Sequence, residues 1–383
     1  MVESDNKEND KIMIIAGEVS GDLIGAALVK QLKLLSPQMK IFGIGGDKMK
    51  SEGMNVLYHI KDMAFLGFTE VVKHLPFIKK VQRELIALAE NENLKTVVLL
   101  DYPGFNLSIA KKFKKNGMKI VYYVSPQIWA WGSGRMKKVK NLIDKMLVVF
   151  PFEESLYKKN NVNTEFVGHP LVERVNDYNF MERQKFFEKF DIKKEIILLM
   201  PGSRKHEIEN LFPPMINAAI KLSEKFNLQT VVAASSNIGK ELFRKISDAE
   251  NYKIIEGYTY ELMKYAKFGI VKSGTSTLEA GYFALPMIIV YKTSLTTYLI
   301  GSRLIKLNNI GMANIILGKQ VVPELIQHSV TEEEIYKESF EILSSVDKYS
   351  SIRSALSGIK NKLGTPGASE RAAKSILALM HET

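Results

Sequence analysis

The sequence predicts an α/β protein of two similar domains facing one another across a cleft, with a helical tail. Three observations carry that expectation. Short β-branched runs alternate with helical patterns, as parallel strands covered by helices require. The rhythm breaks once, near Leu171–Phe186, and then restarts. The chain also has 383 residues, long for one core when domains commonly hold roughly 100–200.

In the first half, strands are expected over Lys11–Ala16, Lys40–Gly43, Thr96–Asp101, Lys119–Val124, Lys145–Phe150 and Thr164–Val167. Helices should fill Asp22–Leu34, Pro76–Glu92, Leu107–Asn116 and Glu153–Asn160. Beyond the polar joint, Glu195–Met200 reads as a strand, followed by the turn Pro201-Gly202-Ser203 and a long helix to about Phe226. Further strands fall at Gln229–Ala234, Lys253–Glu256, Phe268–Lys272 and Met287–Tyr291, and the chain is helical after about Thr331. The domains are therefore placed at 1–172 and 173–383, with the terminal helices free to pack back on the first domain. Ligands of such sheets bind outside the carboxyl ends of the strands.

Composition removes several classes. A chain without cysteine has no disulfide framework, no thiolate-held zinc and no cysteine nucleophile. The opening MVESDNKENDK is polar and acidic, unlike a signal peptide, and no apolar run is long enough to span a bilayer. A cytoplasmic protein is expected. The net charge of +11 favours anionic partners. Scattered solubilising lysine and anionic phospholipid both account for it. Nucleic acid ranks last, because no basic run interleaved with aromatics appears.

Four turns carry candidate chemistry. Gly17-Glu18-Val19-Ser20-Gly21-Asp22 joins the first strand to its helix, where free N–H groups and the helix dipole suit an anion. Equally, the glycines make a tight turn and Asp22 caps the helix. Asp101-Tyr102-Pro103-Gly104-Phe105-Asn106 closes a buried strand with a carboxylate placed for general-base work, or for capping. In Pro201-Gly202-Ser203-Arg204 an arginine stands at a helix start, able to bind diphosphate oxygens or to pair with Glu207 or Glu209. Lys272-Ser273-Gly274-Thr275 delivers small residues into another helix start. Glu279 lies a turn further on, where it can accept two ribose hydroxyls or serve only the helix dipole. Trp129 and Trp131 follow the strand ending at Val124, and core packing is their expected use.

Other chemistry is missing from the sequence. It contains no nucleophile elbow, P-loop or HExxH helix, and its six histidines show no ligand spacing. No metal and no cofactor are expected, so charge on a leaving group must be met by helix ends and protein cations.

Taken together, the runs resemble the lipid-A-disaccharide synthase family. AGEVSGD at Ala16–Asp22, GIGG…EGM at Gly43–Met54, DYPGFN at Asp101–Asn106 and YVSPQIWAW at Tyr123–Trp131 stand in the family's order. So do PFE at Pro151–Glu153, FVGHP at Phe166–Pro170, PGSR at Pro201–Arg204, SGTSTLEA at Ser273–Ala280 and ILGKQVVPELIQ at Ile316–Gln327. The resemblance covers about residues 11–330 and implies the GT-B fold, two Rossmann-like domains around a cleft.

The resemblance also implies a reaction: an inverting transfer of diacylglucosamine from UDP to the 6-hydroxyl of diacylglucosamine 1-phosphate, in lipid A biosynthesis. Asp101 matches the family's candidate base and Asn314 an active-site asparagine. Ser203, Arg204 and the helix start Ser273, Gly274 and Thr275 would hold the diphosphate, and Glu279 the ribose. Glu18, Ser20 and Asp22 complete the expected substrate-binding set. Two positions depart from the pattern: Gly104 stands where relatives commonly carry a second Asp, and Ala313 where they commonly carry Pro.

Because both substrates are acylated in that family, residues 63–80 become a candidate membrane contact at the inner face of the cytoplasmic membrane. Phe65, Leu66, Phe68, Val71, Val72, Leu75 and Phe77 would enter the headgroup layer while Lys79 and Lys80 meet anionic lipid. An ordinary helix packed on the sheet reads the same way. Self-association is left open. Rival readings are another UDP-sugar enzyme of this fold, such as a peptidoglycan glucosaminyltransferase or a UDP-sugar epimerase, and a non-catalytic basic membrane adaptor.

Overall fold

The computed structural model describes residues 11–63, 74–128, 134–235, 238–293 and 309–382. The chain divides into two units, one of residues 1–173 with 363–383 and one of residues 174–362.

The first unit is a parallel sheet of β1 (Lys11–Ala16), β2 (Lys40–Gly45), β3 (Asn55–His59), β4 (Thr96–Leu100), β5 (Lys119–Tyr123), β6 (Lys145–Val148) and β7 (Thr164–Phe166). Their order in space is β3-β2-β1-β4-β5-β6-β7. Central strands such as β4, Thr-Val-Val-Leu-Leu, are buried along their whole length, as a sheet covered on both faces demands. Helices Val19–Leu35, Leu75–Asn91 and Pro103–Lys115 are among those following the strands. Met13, Ile15, Val81, Leu85, Val97, Leu99, Ile109 and Phe113 form part of one contiguous core.

The tail Leu363–Thr383 belongs to this first unit. Its helix Ala368–His381 buries Ala372, Ala373, Ile376 and Leu379. Arg371 Nε donates to the Val167 carbonyl at 2.8 Å, and Lys119 Nζ to the Leu379 carbonyl at 2.9 Å.

The second unit holds a parallel sheet of β8 (Ile196–Met200), β9 (Gln229–Ala234), β10 (Tyr252–Glu256), β11 (Phe268–Lys272), β12 (Met287–Tyr291) and β13 (Glu324–Ile326). The spatial order is β10-β9-β8-β11-β12-β13. In both sheets the strand order reverses once, between β1 and β4 in the first and between β8 and β11 in the second. Crossover helices leave opposite faces at such a point, so their loops part and open a crevice.

The sequence missed some elements. Edge strand β3 has no fully buried residue, and β13 is three residues long. The helix Gly134–Leu142 is basic and buries only Val139. None of the three carries a strong hydrophobic period. No helix among the described residues is long and apolar enough to cross a membrane. Of the expected membrane-contact residues, Phe65, Leu66, Phe68, Val71 and Val72 lie outside the described residues. Leu75, Lys79 and Lys80 are exposed. Phe77 is corrected: it turns inward, edge-on to Tyr58 at 5.8 Å and against the core.

Candidate active site

At the first switch point, β1 and β4 run in register, Ala16 opposite Leu100, so the turns after them lie side by side. Asp101 and Tyr102 both take left-handed backbone, φ 48 and 46. Aspartate tolerates that region better than most residues; tyrosine does not. Surrounding contacts hold the pair there. The Asp101 carbonyl accepts from Tyr122 Oη at 2.6 Å and from the buried Asn106 Nδ2 at 2.7 Å. Tyr102 Oη donates to the Met63 carbonyl at 3.0 Å, and the Tyr102 ring stacks with Phe105. That ring lies against Gly17, where a Cβ would meet it at 2.2 Å, so the glycine is required by close approach.

Beside it, beyond the ends of β4, β5 and β6, a cavity of about 400 Å³ is lined by Asp101, Val124, Ser125, Gln127, Arg135 and Glu153 among others. Burial pushes the Asp101 carboxyl up to about 6, with the nearby Glu18 charge adding to the rise and the Tyr102 amide opposing it. Glu153 Oε1 accepts from Ser125 Oγ at 2.6 Å and Oε2 from the Phe150 amide at 3.3 Å, which ties the turn after β5 to the one after β6.

Glu18 and Ser20 stand exposed after β1. Asp22 turns elsewhere. Its buried carboxylate accepts from the amides of Gly46 at 2.7 Å, Lys48 at 3.2 Å and Met49 at 3.0 Å. The expectation of a substrate-binding Asp22 is corrected accordingly: it caps the short helix Asp47–Ser51. Gly104 has open space around it, and Trp129 and Trp131 lie outside the described residues.

At the second switch point, Met200 pairs with Val271. The turns that follow line a cavity of about 460 Å³ with Gly202, Ser203, Glu207, Lys272, Gly274, Thr275, Ser276 and Glu279. Glu207 organises it. Its side chain is 9% exposed, and its Oε1 lies 2.9 Å from Lys272 Nζ. Its Oε2 accepts the Ser203 amide at 3.2 Å. Burial raises the Glu207 carboxyl, but Lys272, the Ser203 amide and Arg204 outweigh burial and hold it below the usual value. Gly202, φ 123, leaves room for it, since a Cβ there would meet Glu207 Oε2 at 2.5 Å. Arg204, the other expected cation, is 56% exposed and 3.7 Å from Glu207.

Glu279 is pushed up by burial and held back by Arg174, whose Nη2 lies 3.1 Å from Oε1. Tyr178 and Tyr260 line the same cavity. Two expectations need correction here. Ser273 turns away from the cavity, its hydroxyl donating to the Ile310 carbonyl at 3.0 Å and its amide to Val290 at 2.9 Å. Asn314 is fully buried with its amide saturated. Nδ2 donates to the Val322 carbonyl and to Glu324 Oε1, while Oδ1 accepts from the amides of Val321 and Val322. No hydrogen-bonding capacity is left for a substrate, so Asn314 holds the 321–324 turn instead.

Sequence reading passed over Lys272, Arg174, Tyr178, Tyr260 and Arg135. Lys272 stood within a run already singled out, but a lysine at a strand end carries no sign of its direction. Among the described residues no cluster of three or more His, Asp or Glu could hold a metal.

Two parallel sheets, each with a cavity at the carboxyl ends of its strands, define a Rossmann-like α/β protein of the GT-B type. Solved structures agree on the fold. UDP-GlcNAc 2-epimerase from Neisseria meningitidis, bound to UDP-GlcNAc, superposes with a TM-score of 0.64 at 12% identity, covering 96% of this chain and 100% of its own. A UDP-glucosyltransferase from Polygonum tinctorium gives 0.64 at 11%, covering 98% and 99%. Family membership comes from sequence. The lipid-A-disaccharide synthetase model matches residues 12–378. The lipid-A-disaccharide synthase of Syntrophus aciditrophicus is 39% identical over 378 residues, 97% of this chain and 98% of that protein. The chain belongs to the lipid-A-disaccharide synthetase family.

Proposed function

We propose that the chain is a lipid-A-disaccharide synthase, a glycosyltransferase of lipid A biosynthesis, and the full-length family match carries that reading. Its substrates are UDP-diacylglucosamine and diacylglucosamine 1-phosphate. In the finer mechanism, Asp101 takes the proton from the acceptor's 6-hydroxyl. That oxygen forms a bond to the donor's anomeric carbon as the bond to the diphosphate breaks, and UDP departs with the electron pair. A single displacement of this kind inverts the anomeric centre.

What supports Asp101 is its place at a switch point and its raised carboxyl. At about 6 it stays mostly ionised at neutral pH while being a stronger base than an ordinary aspartate. For UDP, the support is the second cavity. Backbone at Gly274 and Thr275, with Ser203 and Arg204, would meet the diphosphate, and Glu279, steadied by Arg174, would accept the ribose hydroxyls. Leu75, Lys79 and Lys80 are the described part of a proposed contact with anionic membrane, a surface that would hold acylated substrates.

The decisive assay gives purified protein both substrates and follows disaccharide and UDP by mass spectrometry. Absence of the β-linked disaccharide, with UDP hydrolysed or the sugar epimerised instead, would defeat the reading.

A further inference from the structure

We propose that Lys272 is a further diphosphate-binding residue, aimed by Glu207 as its positioning residue; this rests on the reading that the second unit takes UDP. Among the described residues lining the second cavity, Lys272 is the one cation, set against the carboxylates of Glu207 and Glu279. Arg204, the cation the motif advertises, is not among them. A diphosphate brought there would face the two lining carboxylates, and Lys272 is the described lining cation that offsets them, while Arg204, 3.7 Å from Glu207, would reach it from outside that lining.

Position supports the same conclusion. Lys272 ends β11 at the switch point, and its side chain is 20% exposed. Its Nζ lies 3.7 Å from where a Cβ on Gly274 would sit, so the charge stands beside the start of the helix Thr275–Tyr282. An ammonium has three donors, and Glu207 Oε1 takes one at 2.9 Å. Through its other oxygen Glu207 holds the Ser203 amide. One buried carboxylate thus fixes the loop after β8 and the cation after β11 together. Stability alone does not explain the pair, because well-packed apolar residues commonly serve a buried position as well or better. Presenting a charge to an anion does explain it.

The test measures UDP and uridine affinities by calorimetry, with uridine read by displacement, in wild type, Lys272→Met, Lys272→Arg and the double variant Lys272→Met/Glu207→Gln. The double variant leaves no unpaired buried carboxylate, and its glutamine can still accept the Ser203 amide, so it folds where the single variant fails. Losing a charge-assisted hydrogen bond should weaken UDP binding roughly tenfold to a hundredfold. Uridine binding should change by less than about twofold, in the single and the double variant alike, and Lys272→Arg should recover most of the UDP affinity. The salt dependence of UDP binding should also flatten. If the double variant regains wild-type UDP affinity, Lys272 only neutralises Glu207 and the assignment is overturned. An equal loss for uridine would overturn it too, since that marks a distorted pocket. Wild-type protein that binds neither ligand would instead bring down the UDP reading, and this inference with it.

Discussion

Replacing Asp101 by Asn should make the protein inactive and more stable at once. The carboxyl rises from 3.8 to about 6, through burial first and the Glu18 charge second. A rise of that size corresponds to about 3 kcal/mol of preference for the neutral form. The sign follows from linkage: a raised folded value costs stability above about 6, and the cost disappears as pH falls below the unfolded value near 3.8. Asparagine is neutral at every pH, nearly isosteric, and at ease in the left-handed region that Asp101 occupies at φ 48. The variant should therefore gain up to about 3 kcal/mol in denaturant unfolding at pH 7–8, the gain shrinking towards zero by about pH 4. Turnover should fall roughly a hundredfold to ten-thousandfold, the usual worth of a general base. In wild type, turnover should drop about tenfold for each pH unit below about 6, as the base protonates. A variant that keeps its turnover, or loses stability at pH 8, would refute the account of Asp101.

Three further substitutions separate support from contact. Asp22→Ala strands the amides of Gly46, Lys48 and Met49 and should cost about 2–4 kcal/mol in chemical unfolding; lost activity at unchanged stability would return Asp22 to the substrate. Asn314→Ala removes both the donors and the acceptor that hold 321–324 and should cost about 2–4 kcal/mol, with hydrogen exchange quickening at Val321 and Val322; a stable variant with impaired chemistry would place Asn314 at the reacting centre. Ile376→Ala opens a cavity under the terminal helix, where Ile376 is fully buried, and should cost about 2–5 kcal/mol, whereas an unchanged melting curve would show that this helix adds little to its unit.

The fold was legible because parallel strands buried on both faces write themselves as unbroken β-branched runs. Ile12 to Ala16, Thr96 to Leu100 and Met287 to Val290 are buried without interruption. Asn55–His59, with no buried residue, and Glu324–Ile326, three residues long, lack that signature and were not seen, although the edge strands Thr164–Phe166 and Tyr252–Glu256 were. Candidate site residues were legible by address but not by direction. The motifs correctly marked the ends of β1, β4, β8 and β11, yet residue type at a strand end does not say which way a side chain turns. Asp22 and Ser273 turn to nearby backbone, and Asn314 turns into its own loop. Each is polar and buried, so each had to find internal partners, and those were nearer than any ligand. Lys272 shows the reverse: a residue without a motif of its own lines the cavity, because a buried carboxylate four positions beyond Ser203 reaches across to it.

The two cavities are approached by turns built in opposite ways. After β8 and β11 the chain turns through glycines, Gly202 at φ 123 and Gly274 at φ 148, for which such backbone costs nothing in sterics. After β4 and β5 it turns through Asp101, Tyr102 and Val124 at φ 48, 46 and 60, and positive φ at a β-branched valine is a true outlier. Strain of this sort costs on the order of 1–3 kcal/mol per residue and persists only where neighbours over-determine it. Here the neighbours are identifiable. Tyr122 and Asn106 grip the Asp101 carbonyl, and the Ser125–Glu153 hydrogen bond secures the residue after Val124. A site that binds a diphosphate through amides needs bare backbone, and glycine supplies it. A site that works through a carboxylate cannot give up its side chain. The first unit therefore carries its strain where the proposed base stands, and the desolvation that raises Asp101 is a second cost accepted at the same residue. Both costs fall on the group whose basicity the proposed chemistry uses.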